Sequence, residues 1–139
     1  MDDLVRLHEL CQSGLCCSQA IMQLALESRG EENPDLIRAL GGLCAGMGKG
    51  LLCGAFSGAA CMLSYFDSKA AMTEMIPRLA EWFEETYGEN GMSCADILEG
   101  DMRNRMRICP SLIEHVYREA REILEEYGYD LTLPGGEED

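Results

Sequence analysis

Positive charge is scarce in this 139-residue chain: 11 Lys and Arg stand against 25 Asp and Glu, a formal net charge of −14. A chain this acidic repels phosphate backbones and anionic lipid surfaces, so neither nucleic acid nor a membrane is expected as a partner. Signature loops are absent as well. There is no phosphate loop, no Gly-x-Ser-x-Gly, no dinucleotide fingerprint and no His-Glu-x-x-His, so the enzyme classes those motifs mark are not indicated. No basic n-region or apolar h-region is seen at Met-Asp-Asp-Leu-Val-Arg, so no secretory signal is read. One uncharged run, Gly50 to Phe66, is 17 residues and is broken by Gly50, Gly54 and Gly58. That is the lower limit of a membrane span, and a buried central helix is the better reading.

What is present is a globular composition, 47% apolar and 26% charged, in a length that suits one domain. Apolar residues recur at helical spacing along most of it. Leu4, Leu7, His8 and Cys11 give a first stripe, and Cys17, Ala20, Ile21, Leu24 and Ala25 a second. Asn33-Pro34 supplies an N-cap and a first-turn proline for a third helix. Five glycines between Gly41 and Gly50 precede a small-residue helix from about Cys53 to Phe66. A longer helix follows, with a kink expected near Met75 where Pro77 interrupts it. Ser93 to Asp96 has capping-box spacing, and a last helix is expected from Cys109-Pro110. No strand pair or internal repeat is evident. The expected fold is all-α, six to seven helices around the small-residue central one, with residues 1–128 as a single domain and 129–139 as an acidic, flexible tail.

Eight cysteines are the outlier, about 6% of the chain and below the level of a secreted disulfide scaffold. With no signal and no span, the expected compartment is the cytoplasm, where clustered cysteines more often serve metal or redox chemistry. Four of them fall at expected helix starts: Cys17, Cys53, Cys94 and Cys109. A helix N-terminus carries partial positive charge and unpaired N–H groups, a setting in which a thiol loses its proton more easily. Thiolates bind iron–sulfur clusters and soft metals and attack disulfides, so the four suggest one assembled site. Four unrelated buried cysteines are the competing explanation.

The ordered elements Gly14-Leu15-Cys16-Cys17-Ser18-Gln19-Ala20, Gly46-Met47-Gly48 and Cys53-Gly54-Ala55-Phe56-Ser57-Gly58-Ala59, with single cysteines at 94 and 109, resemble the redox-active C_GCAxxG_C_C family. That family is similar in turn to the C-terminal region of split-Soret cytochromes. The resemblance implies a small helical redox protein in which Cys17, Cys53, Cys94 and Cys109 gather around a 2Fe–2S or 4Fe–4S cluster. It implies an electron carrier or redox sensor more than a substrate-converting enzyme. Gly46, Gly48, Gly50 and Gly54 would let backbone N–H groups approach the cluster, or would only permit tight helix crossings. Cys11, Cys16, Cys44 and Cys61 fall outside the pattern. No Cys-x-x-Cys-His is present, so covalent haem is not expected and the redox partner would be a separate protein. The split-Soret relatives are dimeric, and a homodimer is expected here by the same likeness.

Two further readings use the same thiols. One is a cluster-free thiol–disulfide protein with Cys16 or Cys44 resolving, which lacks the usual Cys-x-x-Cys. The other is a structural Cys₄ zinc site, which lacks the usual short ligand pairs. His8 and His115 read as a packed and a surface histidine. Arg103, Arg105 and Arg107 form a local basic run that could offset cluster charge or lie solvated.

Overall fold

The computed structural model describes residues 3–131. Helix α1 (Asp3–Gln12) leads through a short turn into α2 (Cys17–Ser28), and α3 (Pro34–Leu40) follows. Asn33 caps α3 by accepting a hydrogen bond from the Leu36 N–H at 3.1 Å, the role expected of an Asn before a first-turn proline. A 3₁₀ turn (Gly41–Leu43) and a tight loop then lead to α4 (Gly54–Phe66). The short α5 (Ser68–Ala70), a π turn (Ala71–Met75) and α6 (Ile76–Tyr87) run on as one rod. The π turn ends two residues before Pro77, which has no N–H to continue the α-helical ladder. A four-residue α7 (Cys94–Ile97) and the long α8 (Arg105–Glu126) complete the order. Among the described residues there is no strand, only one isolated antiparallel bridge between Leu52 and Ser93. The fold is all-α.

Helices α2 and α4 form the centre. In α2, Ser18, Ala20, Ile21, Met22, Leu24, Ala25, Leu26 and Ser28 are buried, so it is enclosed on most sides. Helix α4 carries Ala55, Phe56, Ala59, Met62 and Leu63 into the same core. The apolar stripe of α8, from Leu112 through Leu124, packs across both. Phe56 stacks on Phe83 of α6 with ring centroids 5.2 Å apart, which joins the rod to the central pair.

Two glycines four residues apart on α4 set how close that pair comes. A Cβ on Gly58 would lie 2.6 Å from the Ser18 Cα, and one on Gly54 would lie 2.7 Å from the Cys17 sulfur. Any side chain at either position would force the start of α2 away. The body also continues past Gly128: Tyr129 packs edge-on against Phe66, and Leu131 is fully buried. The expected flexible tail was placed from 129; its residues 132–139 lie outside the described residues.

Candidate functional site

Three short backbone devices bring the cysteines of the motif together. Cys53 is the residue before α4, and Cys94 is the first residue of α7, capped by a 2.9 Å hydrogen bond from the Asp96 N–H to the Ser93 Oγ. Residues 51–53 and 92–94 run antiparallel beside each other: the Cys53 N–H donates to the Met92 carbonyl at 3.3 Å, and the Cys94 N–H donates to the Leu51 carbonyl. That zipper sets Cys53 and Cys94 side by side. Cys17, the first residue of α2, reaches the same place because Gly54 leaves room for its sulfur.

Cys109 arrives by a different route from the one its sequence suggests. Helix α8 begins at Arg105, so Cys109 lies a turn inside it and Pro110 falls in the helix interior. The proline was expected to mark the helix start; here the first turn, Arg105 to Ile108, is a mostly exposed, basic extension.

All four line one cavity of about 370 Å³. Cys11, from the end of α1, and Cys16 line it too, and so does Gly54. His8, Arg105, Met106 and Glu114 also contribute to its wall. The His8 Nε2 pairs with the Glu114 carboxylate, so this histidine is half-exposed and bridges α1 to α8 rather than packing in the core. Gly46, Gly48 and Gly50 are not among the lining residues. Gly46 turns tightly on the Leu51 backbone, Gly50 lies against Ala95, and Gly48 has nothing within 4 Å of where a Cβ would sit. Each has a positive φ, as do Ala45 and Met47 between and beside them, so the loop 45–50 is built on left-handed residues. Cys61 is half-buried on α4, outside the cavity.

Cys16 and Cys44 are paired as a disulfide, with Cα atoms 6.0 Å apart. Neither residue belongs to the motif pattern, and either is the resolving cysteine of the cluster-free reading. Their pairing follows from the chain's return after α3, which brings residue 44 back onto the start of α2.

Electrostatically the cavity opposes charge on the free thiols. Burial pushes Cys53 up to about 12, although the N–H groups of Phe56 and Ala55 at the start of α4 act the other way. Burial likewise pushes Cys109 up to about 11 and raises Cys17, Cys94 and Cys11. The expectation that helix N-termini acidify these thiols is therefore corrected: desolvation outweighs the helix ends, and Cys109 is not at one. Arg105 is the residue that pulls in the opposite direction at three of them, Cys17, Cys94 and Cys109. The other two arginines of the basic run look elsewhere, Arg103 to Asp101 and Arg107 to Asn104.

As placed, no three His, Cys, Asp or Glu side chains among the described residues group closely enough to hold a single ion. Four sulfurs around one zinc, each about 2.3 Å from it, would lie roughly 3.8 Å from one another. A cluster would make a looser demand, because the four thiolates would be divided among its irons and not gathered on one ion. The donor set, soft sulfurs at a largely apolar wall beside one arginine, suits such a group.

The four motif cysteines, and Arg105 as one of three arginines able to offset charge at the site, are legible in the sequence, whereas Cys11 and Cys16 as neighbours of the site are not. Cys11 carried one signal, its place on the apolar stripe of α1. Arg105 carried only its membership of the basic run. Among the described residues no helix is long and apolar enough to cross a membrane. No curated protein and no solved structure matches the chain. One family model does, over residues 15–123, a span that takes in every motif cysteine. The chain therefore belongs to the family described as "Putative redox-active protein (C_GCAxxG_C_C)".

Proposed function

We propose that this protein holds an iron–sulfur cluster, 2Fe–2S or 4Fe–4S, through Cys17, Cys53, Cys94 and Cys109, and serves electron transfer or redox sensing. One observation carries the reading: four cysteines on or beside four separate helices, spread over most of the chain, line a single cavity of about 370 Å³. Buried cysteines with no common task would be scattered through the core, as Cys61 is. When bound, the cluster supplies a one-electron couple.

The chain's own residues do the rest. Gly54 and Gly58 hold the start of α2 against α4, so Cys17 and Cys53 keep a fixed separation. The 51–53 and 92–94 zipper fixes Cys94 to Cys53. In the free protein the raised thiols keep their protons, and binding iron requires that they give them up. Arg105 offsets part of the negative charge that four thiolates would bring to the wall. The apolar lining limits water and so shields an oxidisable group.

The partner we infer is a separate redox protein, met in the cytoplasm, and the protein itself is proposed to be a homodimer. Zinc at the same four cysteines is the weaker reading, since structural zinc sites usually carry short ligand pairs two to four residues apart, which this chain lacks.

The test is anaerobic expression with iron, followed by iron and acid-labile sulfide analysis and absorbance of the purified chain. A brown protein with sulfide stoichiometric to iron is expected. Colourless protein without sulfide sinks the reading, and one zinc per chain without sulfide replaces it.

A further inference from the structure

Outside the four-cysteine set, Cys16 and Cys44 form a pair that the cluster reading does not use. They join the residue before α2 to the residue that opens the loop 45–50, across 28 positions of sequence. Their Cα separation of 6.0 Å is that of ordinary disulfides. Both are only half-buried, and the neighbouring Gln12, Ser13, Gly14 and Gly42 are exposed, so a small thiol can reach them.

Between them stands Ser18, fully buried in α2. Its hydroxyl donates to the Leu40 carbonyl at 2.8 Å, which commits its one proton. The Oγ then lies 3.5 Å from the Cys16 sulfur and 3.4 Å from the Cys44 sulfur. Disulfide sulfurs have no proton to give, so the oxygen's lone pairs go unmet in the oxidised pair. Two thiols could each donate to that oxygen. The reduced pair is therefore accommodated at this position as well as the oxidised one, and a buried polar atom is better satisfied when it forms.

We propose that Cys16 and Cys44 are a second, two-electron redox centre, a reversible dithiol–disulfide couple beside the four-cysteine site, exchanging with small-molecule disulfides of the glutathione type. In the oxidising direction one protein thiol attacks a sulfur of RS–SR. A mixed disulfide forms, and the first RS group leaves as RSH with the proton. The second protein thiol then attacks the protein sulfur of the mixed disulfide and releases the second RSH. Two protein S–H bonds and one S–S bond are replaced by one protein S–S bond and two RSH, so atoms and electrons balance. The protein is oxidised and the small disulfide reduced. Reduction reverses each step.

The inference does not rest on the cluster. Whichever group the four-cysteine cavity takes, the couple predicts its own signature.

The experiment equilibrates the full chain anaerobically in buffers of reduced and oxidised glutathione, quenches with an alkylating agent and maps disulfides by mass spectrometry. Iron and sulfide are measured on the same samples. A single disulfide joining Cys16 to Cys44 is expected, rising through a two-electron transition of about 30 mV per decade. Ser18→Ala removes the oxygen that accepts from the two thiols, so its equilibrium should move roughly tenfold toward the disulfide, about 30 mV more negative. A purely structural bridge would stay oxidised across all the buffers and overturn the proposal. So would a disulfide that instead joins Cys11, Cys17, Cys53, Cys94 or Cys109. Cys44→Ser, outside the cavity lining, should leave iron and sulfide at the wild-type level. If that variant loses them, Cys44 is a cluster ligand and the idea of a separate centre fails. Protein without any iron, yet with the 16–44 transition intact, defeats only the cluster reading.

Discussion

Replacing Gly58 by alanine tests the close contact between α4 and the start of α2. A methyl group there would lie 2.6 Å from the Ser18 Cα, 2.9 Å from its Cβ and 3.1 Å from its carbonyl oxygen. Two of those atoms are backbone in a helix that is buried on most sides, so no side chain can simply swing away. The helices must move apart. Overpacking of this kind costs about 1–3 kcal/mol, and a backbone obstacle puts it at the upper end. Alanine in place of glycine inside a helix returns about 1 kcal/mol through its better propensity. The net loss is then about 2 kcal/mol. Unfolding entropy of roughly 2.1 cal/mol/K per residue over 139 residues converts each kcal/mol to about 3–4 °C, so the melting midpoint should fall by about 7 °C. The assay is thermal unfolding of the full chain by circular dichroism, in reductant, beside Gly42→Ala. Gly42 is exposed, with nothing within 4 Å of its Cβ position, and its substitution should change stability by less than about 0.5 kcal/mol. Because Cys17 precedes Ser18, Gly58→Ala should also lower iron incorporation. A midpoint at or above wild type for Gly58→Ala would refute the reasoning that this glycine sets the α2–α4 distance.

Cys53→Ser should lose iron and sulfide, since serine offers a hard, protonated hydroxyl where a soft thiolate is needed, whereas Cys61→Ser, about 12 Å further along α4, should retain both; equal iron in the two variants contradicts the ligand set. Glu27 is held below the usual carboxylate range chiefly by its hydrogen bonds from Arg6, at 2.7 Å. Its stabilisation is thus present above the ordinary glutamate pKa of about 4.3 and fades as pH falls through the lower folded value. Urea titrations of Glu27→Gln should show a loss below about 1 kcal/mol at pH 7 that shrinks under acid conditions, and a loss that grows with acidity would reverse the sign argued here. Tyr117 is fully buried, and its hydroxyl has no hydrogen-bond partner among the described residues. Tyr117→Phe should therefore be neutral or stabilising by up to about 1 kcal/mol, and a clear loss in denaturant midpoint would mean the hydroxyl is satisfied in solution. Light scattering at tens of micromolar should report the mass of two chains, and a one-chain mass would remove the proposed dimer.

Much of the fold could be read from the residues because its signals are local. Asn33-Pro34 and Ser93 cap the helices they were expected to cap, and the stripe from Leu112 to Leu124 is buried along its length. The four motif cysteines could be picked out because the order of short glycine and cysteine elements is distinctive. Where the reading stopped, the missing information was non-local. Arg105 to Ile108 has no apolar stripe of its own, so nothing marked it as the first turn of α8, and Pro110 was taken for a helix start. The tilt of α1 against α8 decides that Cys11 faces the cavity. The return of the chain after α3 decides that Cys44 meets Cys16. The acidity of the thiols depends on how deeply they are enclosed, and a sequence states the helix end but not the depth.

The wide spacing of the four cysteines has a consequence for how the site comes into being. Cys17, Cys53, Cys94 and Cys109 are 36, 41 and 15 residues apart, and each enters on or beside a different helix. No short fragment of the chain contains more than one of these four, in contrast to short ligand runs that can capture metal on an unfolded peptide. The cavity exists only once α2 has docked on α4 and α8 has closed over both, contacts that join distant parts of the chain. A group that needs all four of these cysteines at once can therefore be held only by a chain already folded.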